Sequence, residues 1–490
     1  MNILSTARQR WIALTLLSAI EFMILLDTSI VNIALPSIQA GLHFSEVDLG
    51  WVQNIYQLVF GSLLLFGGRA AELFGRRKLY LLGLALFTLG SLLAGLAPSA
   101  AILLLARAIQ GLGAAVVIPA EQSLLVTIFT DPKERDRAFG IWGALGAAGG
   151  AFGLVLGGVL TQAFGWSSIF LINVPIGVFV FLVSSRFIPE SREQGERKVL
   201  DIPGILTVTP ALLLLAYGPV LAQTQGFGLS TIGVFAAMVL LLLAFVGIEA
   251  RSSAPLVPLR LFRLRDLNGA NLVSFLIGAS HAPMFYFLSL YFQQVLFYNA
   301  LTAGLAILPI AGLSIVIAFL VLAKALGHLG FKGVLASGMV LLAVALVLLA
   351  RAPLPGTYLL DVLPASVIVA LGLPAVFAAS NIAAVTAVEQ ADTGLASGLV
   401  NTMQRIGSGV GIALLSALFA ARVGQLPAHP APSSLVPGFQ MVFLGAAFFA
   451  VLGAALTLLI IRGKRGETSA SQQTQQEVSS GGHQIRWGHH

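Results

Sequence analysis

Cysteine is absent from this 490-residue chain. That absence removes thiol nucleophiles, disulfide frameworks and Cys-ligated metal sites. Charge is scarce as well: Asp, Glu, Lys and Arg make up 10% of the residues, against roughly 25% in an average soluble domain. So few charges cannot solvate the several domains that a soluble chain of this length would form. A soluble enzyme, a disordered chain and a disulfide-built secreted domain are excluded. No HExxH, GxSxG or paired acidic motif falls in the apolar segments, so no catalytic activity is expected. No GxxxxGK[ST] sequence is present, so ATP is not an energy source within the chain. What remains is apolar: 57% of residues are hydrophobic, with 52 Gly and 21 Pro, and the mean hydropathy is +0.94. Such a chain belongs in a bilayer.

A spanning helix needs roughly 20 apolar residues to cross about 30 Å of hydrocarbon. That ruler gives an all-α membrane protein with fourteen spans, at 11–35, 48–70, 77–97, 100–127, 137–161, 166–188, 202–222, 229–250, 268–297, 302–325, 332–351, 357–385, 393–422 and 437–461. Pro203 and Pro210 interrupt the seventh. Two basic turns resemble each other, Gly75-Arg76-Arg77-Lys78 and Gly330-Phe331-Lys332, each followed by a Gly at the same spacing. Together these features predict two six-helix bundles, residues 1–188 and 266–462. A linker with two extra spans, 189–265, separates them, and a disordered tail, 463–490, follows.

Charge orients the spans. Placing the N-terminus in the cytosol puts 23 of the 27 Lys and Arg on the cytoplasmic side, the asymmetry that retention of positive charge produces. Both termini are then expected in the cytoplasm and the chain in the cell (inner) membrane. Topology explains the net charge of +7, so no nucleic-acid partner is implied.

Charged groups inside spans cost about 2.5–3.5 kcal/mol each and persist where they pair or meet water. Asp27 lies about 24 Å above the start of the first span and Arg107 about 10 Å below the start of the fourth, which runs the other way. The two depths together equal about one hydrocarbon thickness. An Asp27–Arg107 pair is therefore geometrically allowed, either as a proton-carrying carboxylate with its tuning partner or as a static ion pair locking two helices. Glu21 is a second titrating or cation-binding candidate, or a group that hydrogen-bonds a neighbouring helix. Glu121 is a further proton-coupling candidate or an interfacial carboxylate. His281 reads as a hydrogen-bonded helix residue.

Several ordered motifs carry a resemblance. Leu26-Asp27-Thr28-Ser29-Ile30-Val31-Asn32-Ile33-Ala34-Leu35-Pro36 in the first span and Gly68-Arg69-Ala70-Ala71-Glu72-Leu73-Phe74-Gly75-Arg76-Arg77-Lys78 after the second are two of them. Arg107-Ala108-Ile109-Gln110-Gly111-Leu112-Gly113, the glycine series around Gly153, Gly157 and Gly158, and the run Trp166 to Gly177 follow. The second half adds Tyr291-Phe292-Gln293-Gln294 and Asn401-Thr402 with Arg405-Ile406-Gly407. Across residues 11–462 the chain resembles the major facilitator superfamily, and within it the fourteen-span drug:H⁺ antiporter branch. It departs from the branch's patterns at Glu72, Leu73 and Leu154, where Asp, Arg and Pro are usual.

The resemblance implies a proton-coupled exporter of lipophilic or cationic amphipathic compounds, a multidrug efflux protein working by alternating access. Lipids or long-chain amphiphiles are the alternative cargo, and an uptake permease the more distant one. The proton gradient would be the energy source, with no cofactor and no metal. The chain would act as a monomer among membrane lipids. Asp27 and Arg107, with Glu21 and Glu121, would couple protons. Glu72, Gly75, Arg76, Arg77 and Lys78 would form a breakable latch, and Gly153, Gly157 and Gly158 a sealing or rocking surface. Phe22, Tyr56, Phe285, Tyr286, Gln293, Asn401 and Gln404 are candidates for the substrate wall, or helix-packing residues.

Overall fold

Apolar runs in hydrocarbon leave backbone N–H and C=O groups no water to bond, so each run closes its own ladder of hydrogen bonds as a helix. The computed structural model describes residues 7–188, 201–226, 228–252, 255–351, 356–389, 392–424 and 431–462. The expected tail and most of the loop that opens the linker lie outside the described residues. Among the described residues all regular structure is helical, and fourteen helices are long. They are α1 (Ala7–Leu42), α2 (Trp51–Phe74), α3 (Arg76–Gly95), α4 (Ala100–Ile128), α5 (Pro132–Phe164), α6 (Asn173–Phe187) and α7 (Ile202–Gln225). The rest are α8 (Leu229–Glu249), α9 (Arg265–Gln294), α10 (Ala300–Leu320), α11 (Leu322–Ala350), α12 (Leu363–Val385), α13 (Thr393–Val423) and α14 (Pro432–Ile460). The chain is a multi-pass membrane protein: 13 of these stretches are long and apolar enough to cross a bilayer among the described residues, and α2 is the remaining long helix.

Several helices outrun the hydrophobic rule. α1 extends to Leu42, beyond Pro36. α11 joins two pieces across Gly330, whose φ of 66° only glycine adopts without strain. The turn holding Lys324 and Lys332 is thereby mostly helical. α7 survives its prolines: Pro203 occupies the first turn, where its missing N–H has no helical partner to lose, and Pro210 is carried inside.

α1 packs along α5, α3 along α4 and α2 along α4; α9 packs along α13, and α11 along α12 and α14. The first six helices and the last six thus form two packed groups. Two main seams join them, α5 with α10 and α2 with α13, and α1 meets α9 over a smaller area. The inserted α7 lies on the second seam, against both α13 and α2, with Tyr217 6.2 Å from Trp51 ring to ring. α8 packs on α7 and turns residues such as Leu240 and Leu243 outward.

One end of the bundle carries Arg10, Arg76, Arg77, Arg260, Arg265 and Lys332; this is the basic end. Contacts between the two groups collect toward the opposite end. Ser289 Oγ donates to Asn32 O at 2.6 Å and Gln293 Nε2 to Ile33 O at 3.0 Å. A Cβ on Gly158 would stand 2.4 Å from Leu301 Cα, and one on Gly304 2.2 Å from Leu154 O. The polar bridges described at the basic end do not join the two groups: Arg10 pairs with Glu134 at 3.0 Å inside the first, and Arg260 of the linker with Asp392 at the start of α13 at 2.8 Å.

Candidate functional site

Asp27 sits mid-way along α1 with no exposed surface, and Arg107 of α4 is equally buried. Arg107 Nη1 donates to Asp27 Oδ2 at 2.6 Å. The same nitrogen donates to Gln110 Oε1 at 3.0 Å, and Nε to Val52 O at 3.0 Å. Asp27 Oδ1 accepts from Gln110 Nε2 at 3.1 Å and from Asn173 Nδ2 at 3.0 Å. Gln110 Nε2 also reaches Ser91 Oγ at 2.7 Å. The carboxylate therefore accepts three hydrogen bonds, one of them charge-assisted on both sides. Above Arg107 lies the Tyr56 ring, 4.3 Å from guanidinium carbon to ring centre, with Phe170 at 5.8 Å.

The local sequence explains this convergence. Arg107 and Gln110 are three residues apart and share one face of α4. Gly90 brings α3 in so closely that a Cβ there would lie 2.7 Å from Gln110 Cγ. Gly111 does the same for α2, at 2.7 Å from Tyr56 O. Taking two charges out of water costs several kcal/mol each. That cost is tolerable only where the geometry is complete, as it is on Asp27. On Arg107 it is not: Nη2 is buried without a hydrogen-bond partner, as is Asn173 Oδ1.

A second set of charged groups lies toward the basic end. Glu21, partly exposed on α1, lies against Gly146 of α5, where a Cβ would stand 2.9 Å from Glu21 Cγ. Glu121 of α4 is fully buried, not an interfacial carboxylate. Trp142 Nε1 donates to its Oε1, while its Oε2 has no partner. Across the seam, Arg405 of α13 donates from Nη1 to Gln57 Oε1 at 3.3 Å. His281 Nδ1 lies 2.9 Å from Ile277 O and its ring meets Phe377 edge-on, the hydrogen-bonded helix residue that was expected.

The remaining candidates divide. Gly75 makes the turn between α2 and α3 with a φ of 106°. Arg76 Nη1 donates to Thr127 Oγ1 at 2.6 Å, Arg77 donates to Ser185 O, and Lys78 is exposed. Both arginines brace α3 against α4 and α6 rather than reach the other group. The side chain of Glu72 lies outside the described residues. Gly153 and Gly157 face α1, at Leu26 and Ile30, whereas Gly158 meets α10 across the seam. Tyr56 is sealed against Arg107, and Tyr286 is buried against Phe287 with ring centres 4.8 Å apart. Gln293 ties α9 to α1. Phe22, Phe285, Asn401 and Gln404 keep partial exposure, and Asn401 Nδ2 donates to Ser397 O at 2.9 Å.

Gln110 and Asn173 fall inside the sequence motifs with no role evident there, and Ser91 lies outside them. Their signal was polarity in an apolar run: an amide or hydroxyl in hydrocarbon needs a partner. Among the described residues no group of three or more His, Asp or Glu stands close enough to hold a metal ion.

Residues 17–412 match the Major Facilitator Superfamily. The chain belongs to that superfamily. It is a transporter and not an enzyme. It is 38% identical over 448 residues to the cephamycin export protein CmcT of Amycolatopsis lactamdurans, covering 91% of each chain. It is 34% identical over 457 residues to the puromycin resistance protein pur8 of Streptomyces alboniger, covering 92% of this chain and 90% of that one. With the multidrug efflux pump LfrA of Mycolicibacterium smegmatis it shares 31% over 465 residues, 94% of this chain and 91% of that one. Among solved structures, an auto-inhibited peptide transporter of the POT family superposes with a TM-score of 0.69 at 18% identity, over 94% of this chain and 98% of that one. At that identity the likeness shows the fold alone.

Proposed function

We propose that this transporter exports lipophilic or cationic amphipathic small molecules, antibiotics among them, in exchange for protons entering the cell. The observation that carries the reading is the buried Asp27–Arg107 pair, closed by Gln110 and Asn173. The export and resistance proteins to which the chain is similar support it.

In this reading the basic end faces the cytoplasm of the cell membrane, with both termini inside, and each monomer is a complete unit. Residues 1–188 and 266–462 are the two rocking bodies, and 189–265 is the linker that carries the extra pair. With their contacts gathered at the opposite end, the bodies are closed outward and open inward. Asp27 is here ionised and paired with Arg107. When the bodies rock, water from outside reaches the carboxylate, a proton binds, and Arg107 is released. As the bodies rock back, the proton passes to water on the inner side, and Arg107 then re-forms the pair and seals the carboxylate. Because the carboxylate is sealed in the closed arrangement, the proton crosses only with the conformational change.

Phe22, Phe285, Asn401 and Gln404 would line the wall that meets the cargo, with Glu21 attracting cationic cargo. Glu121 holds its place through Trp142. Gly75, Arg76, Arg77 and Lys78 stiffen the inner turn of the first body, Glu72 lies in the same turn, and Gly158 belongs to the outer seal.

Reconstitution in liposomes under an imposed pH gradient tests the reading. Ethidium, as a cationic dye, should move against its gradient when driven by protons, and Asp27→Asn should abolish that accumulation while leaving downhill movement. A fluorescent phospholipid serves as the competing cargo. Gradient-driven accumulation that persists in Asp27→Asn, or movement of the phospholipid without the dye, overturns it.

A further inference from the structure

Two guanidinium groups bracket one aromatic pair on α2. Arg107, from the first body, lies 4.3 Å from the centre of the Tyr56 ring. Arg405, from the second, lies 3.6 Å from the centre of Phe60. Tyr56 and Phe60 are one helical turn apart and meet edge to face, their centres 5.8 Å apart. Both cations sit within the roughly 6 Å over which a ring quadrupole attracts a charge; Arg107 is fully buried and Arg405 partly buried, and the attraction grows as water is excluded. Gly61 lets α13 settle here: a Cβ on it would stand 3.1 Å from Arg405 Cβ and 3.3 Å from Ile406 N.

The two cations are compensated differently. Arg107 has a carboxylate at 2.6 Å. Among the described residues no carboxylate forms an ion pair with Arg405; the Phe60 ring and the Gln57 amide oxygen meet its charge. The charged and titratable groups around the aromatic pair are Arg107 and Asp27 on one side and Arg405 on the other, with Glu21 of α1 and His281 of α9 within electrostatic reach of Arg405.

We infer that Arg405 is the positioning residue that reports the proton on Asp27 to the second body, through Tyr56 and Phe60. The inference rests on the proton-coupling reading of Asp27. With Asp27 ionised, Arg107 is fixed between Asp27 Oδ2 and Val52 O. It holds Tyr56, which in turn sets the edge against Phe60 and so the face offered to Arg405. Protonation removes the anion. The whole charge of Arg107 then falls on the shared aromatic pair, opposite a second cation, and the contact between α2 and α13 weakens. Linkage is reciprocal: closing that contact must favour loss of the proton from Asp27. A carrier that binds protons when open to the outside and sheds them when closed there needs that relation. An unbroken chain of contacts is not by itself coupling, and only perturbation of both ends measures it.

The cysteine-free chain allows a clean measurement. Leu96→Cys and Arg351→Cys place spin labels on exposed sites at the opposite end of the two bodies, and the distance between them reports closure. In otherwise native protein, acidification should raise the long-distance population. Arg405→Gln and Phe60→Leu should each reduce that acid response by about fivefold to tenfold, the scale of a partly desolvated cation–π contact. Phe60→Tyr, which keeps the ring, should preserve the response, a rescue that a merely structural role does not predict. Arg405→Lys, which keeps a charge but not a planar stack, should fall between and stands in if the Gln variant does not fold. If Asp27→Asn loses the acid response while Arg405→Gln and Phe60→Leu keep it, the inference is wrong and the proton site stands. If Asp27→Asn itself keeps the response, the proton site falls.

Discussion

Gly304→Ala separates the contacts that hold one state from those that hold the fold. A methyl at Gly304 would lie 2.2 Å from Leu154 O and 3.0 Å from Leu154 C. A comfortable carbon–oxygen contact is about 3.3–3.6 Å, so α5 and α10 must part by about 1 Å. Overpacking of this kind costs about 1–3 kcal/mol. The strain exists only while the two bodies are closed at the opposite end, so the ratio of closed to open molecules should fall roughly fivefold to 150-fold. Gly149→Ala is the matched control. Its methyl would meet Phe22 O at the same 2.2 Å, but between α1 and α5, inside one body and in every state. It should lower the thermal midpoint without moving the equilibrium. Distances between labels on the two bodies, read with thermal unfolding of each variant, decide the matter. An unchanged closed population in Gly304→Ala, or an equal shift in Gly149→Ala, refutes the assignment of the α5–α10 seam as the moving contact.

Two further outcomes follow from charge. Arg107→Ala leaves an uncompensated buried carboxylate, so it should destabilise by about 3–5 kcal/mol; adding Asp27→Asn should restore part of the lost thermal stability, although not proton-driven transport. Arg260→Ala breaks the bidentate pair with Asp392 in which Arg260 is 63% exposed, and a pair so solvated should cost under about 1 kcal/mol, leaving the thermal midpoint nearly unmoved.

The helices were legible in the sequence because a bilayer permits little else: hydropathy and span length located all fourteen. Their ends were not, because helices continue past the hydrocarbon, as α1 does to Leu42 and α11 does through Gly330. Depth counting was enough to bring Asp27 and Arg107 to one level. It could not bring in Ser91 and Asn173, whose approach depends on how α3 and α6 close on α1 and α4. The glycine series was visible as a surface for close contact, but not which neighbour it met. Gly153 and Gly157 face α1 within their own body, and only Gly158 reaches across. Tyr56 and Tyr286 read as substrate-wall or helix-packing aromatics, and both are buried, one against Arg107 and the other against Phe287.

Among the described residues, every side chain that hydrogen-bonds Asp27, and both rings over Arg107, come from the first 188 residues. If protons drive the cycle as proposed, the groups that receive them are encoded as a single block. On that reading, remodelling the last six helices would change the share of the cargo wall built by Phe285, Asn401 and Gln404 without touching the groups around Asp27, provided the aromatic bridge to Arg405 is kept. Cargo and power source would then vary through separate stretches of one gene.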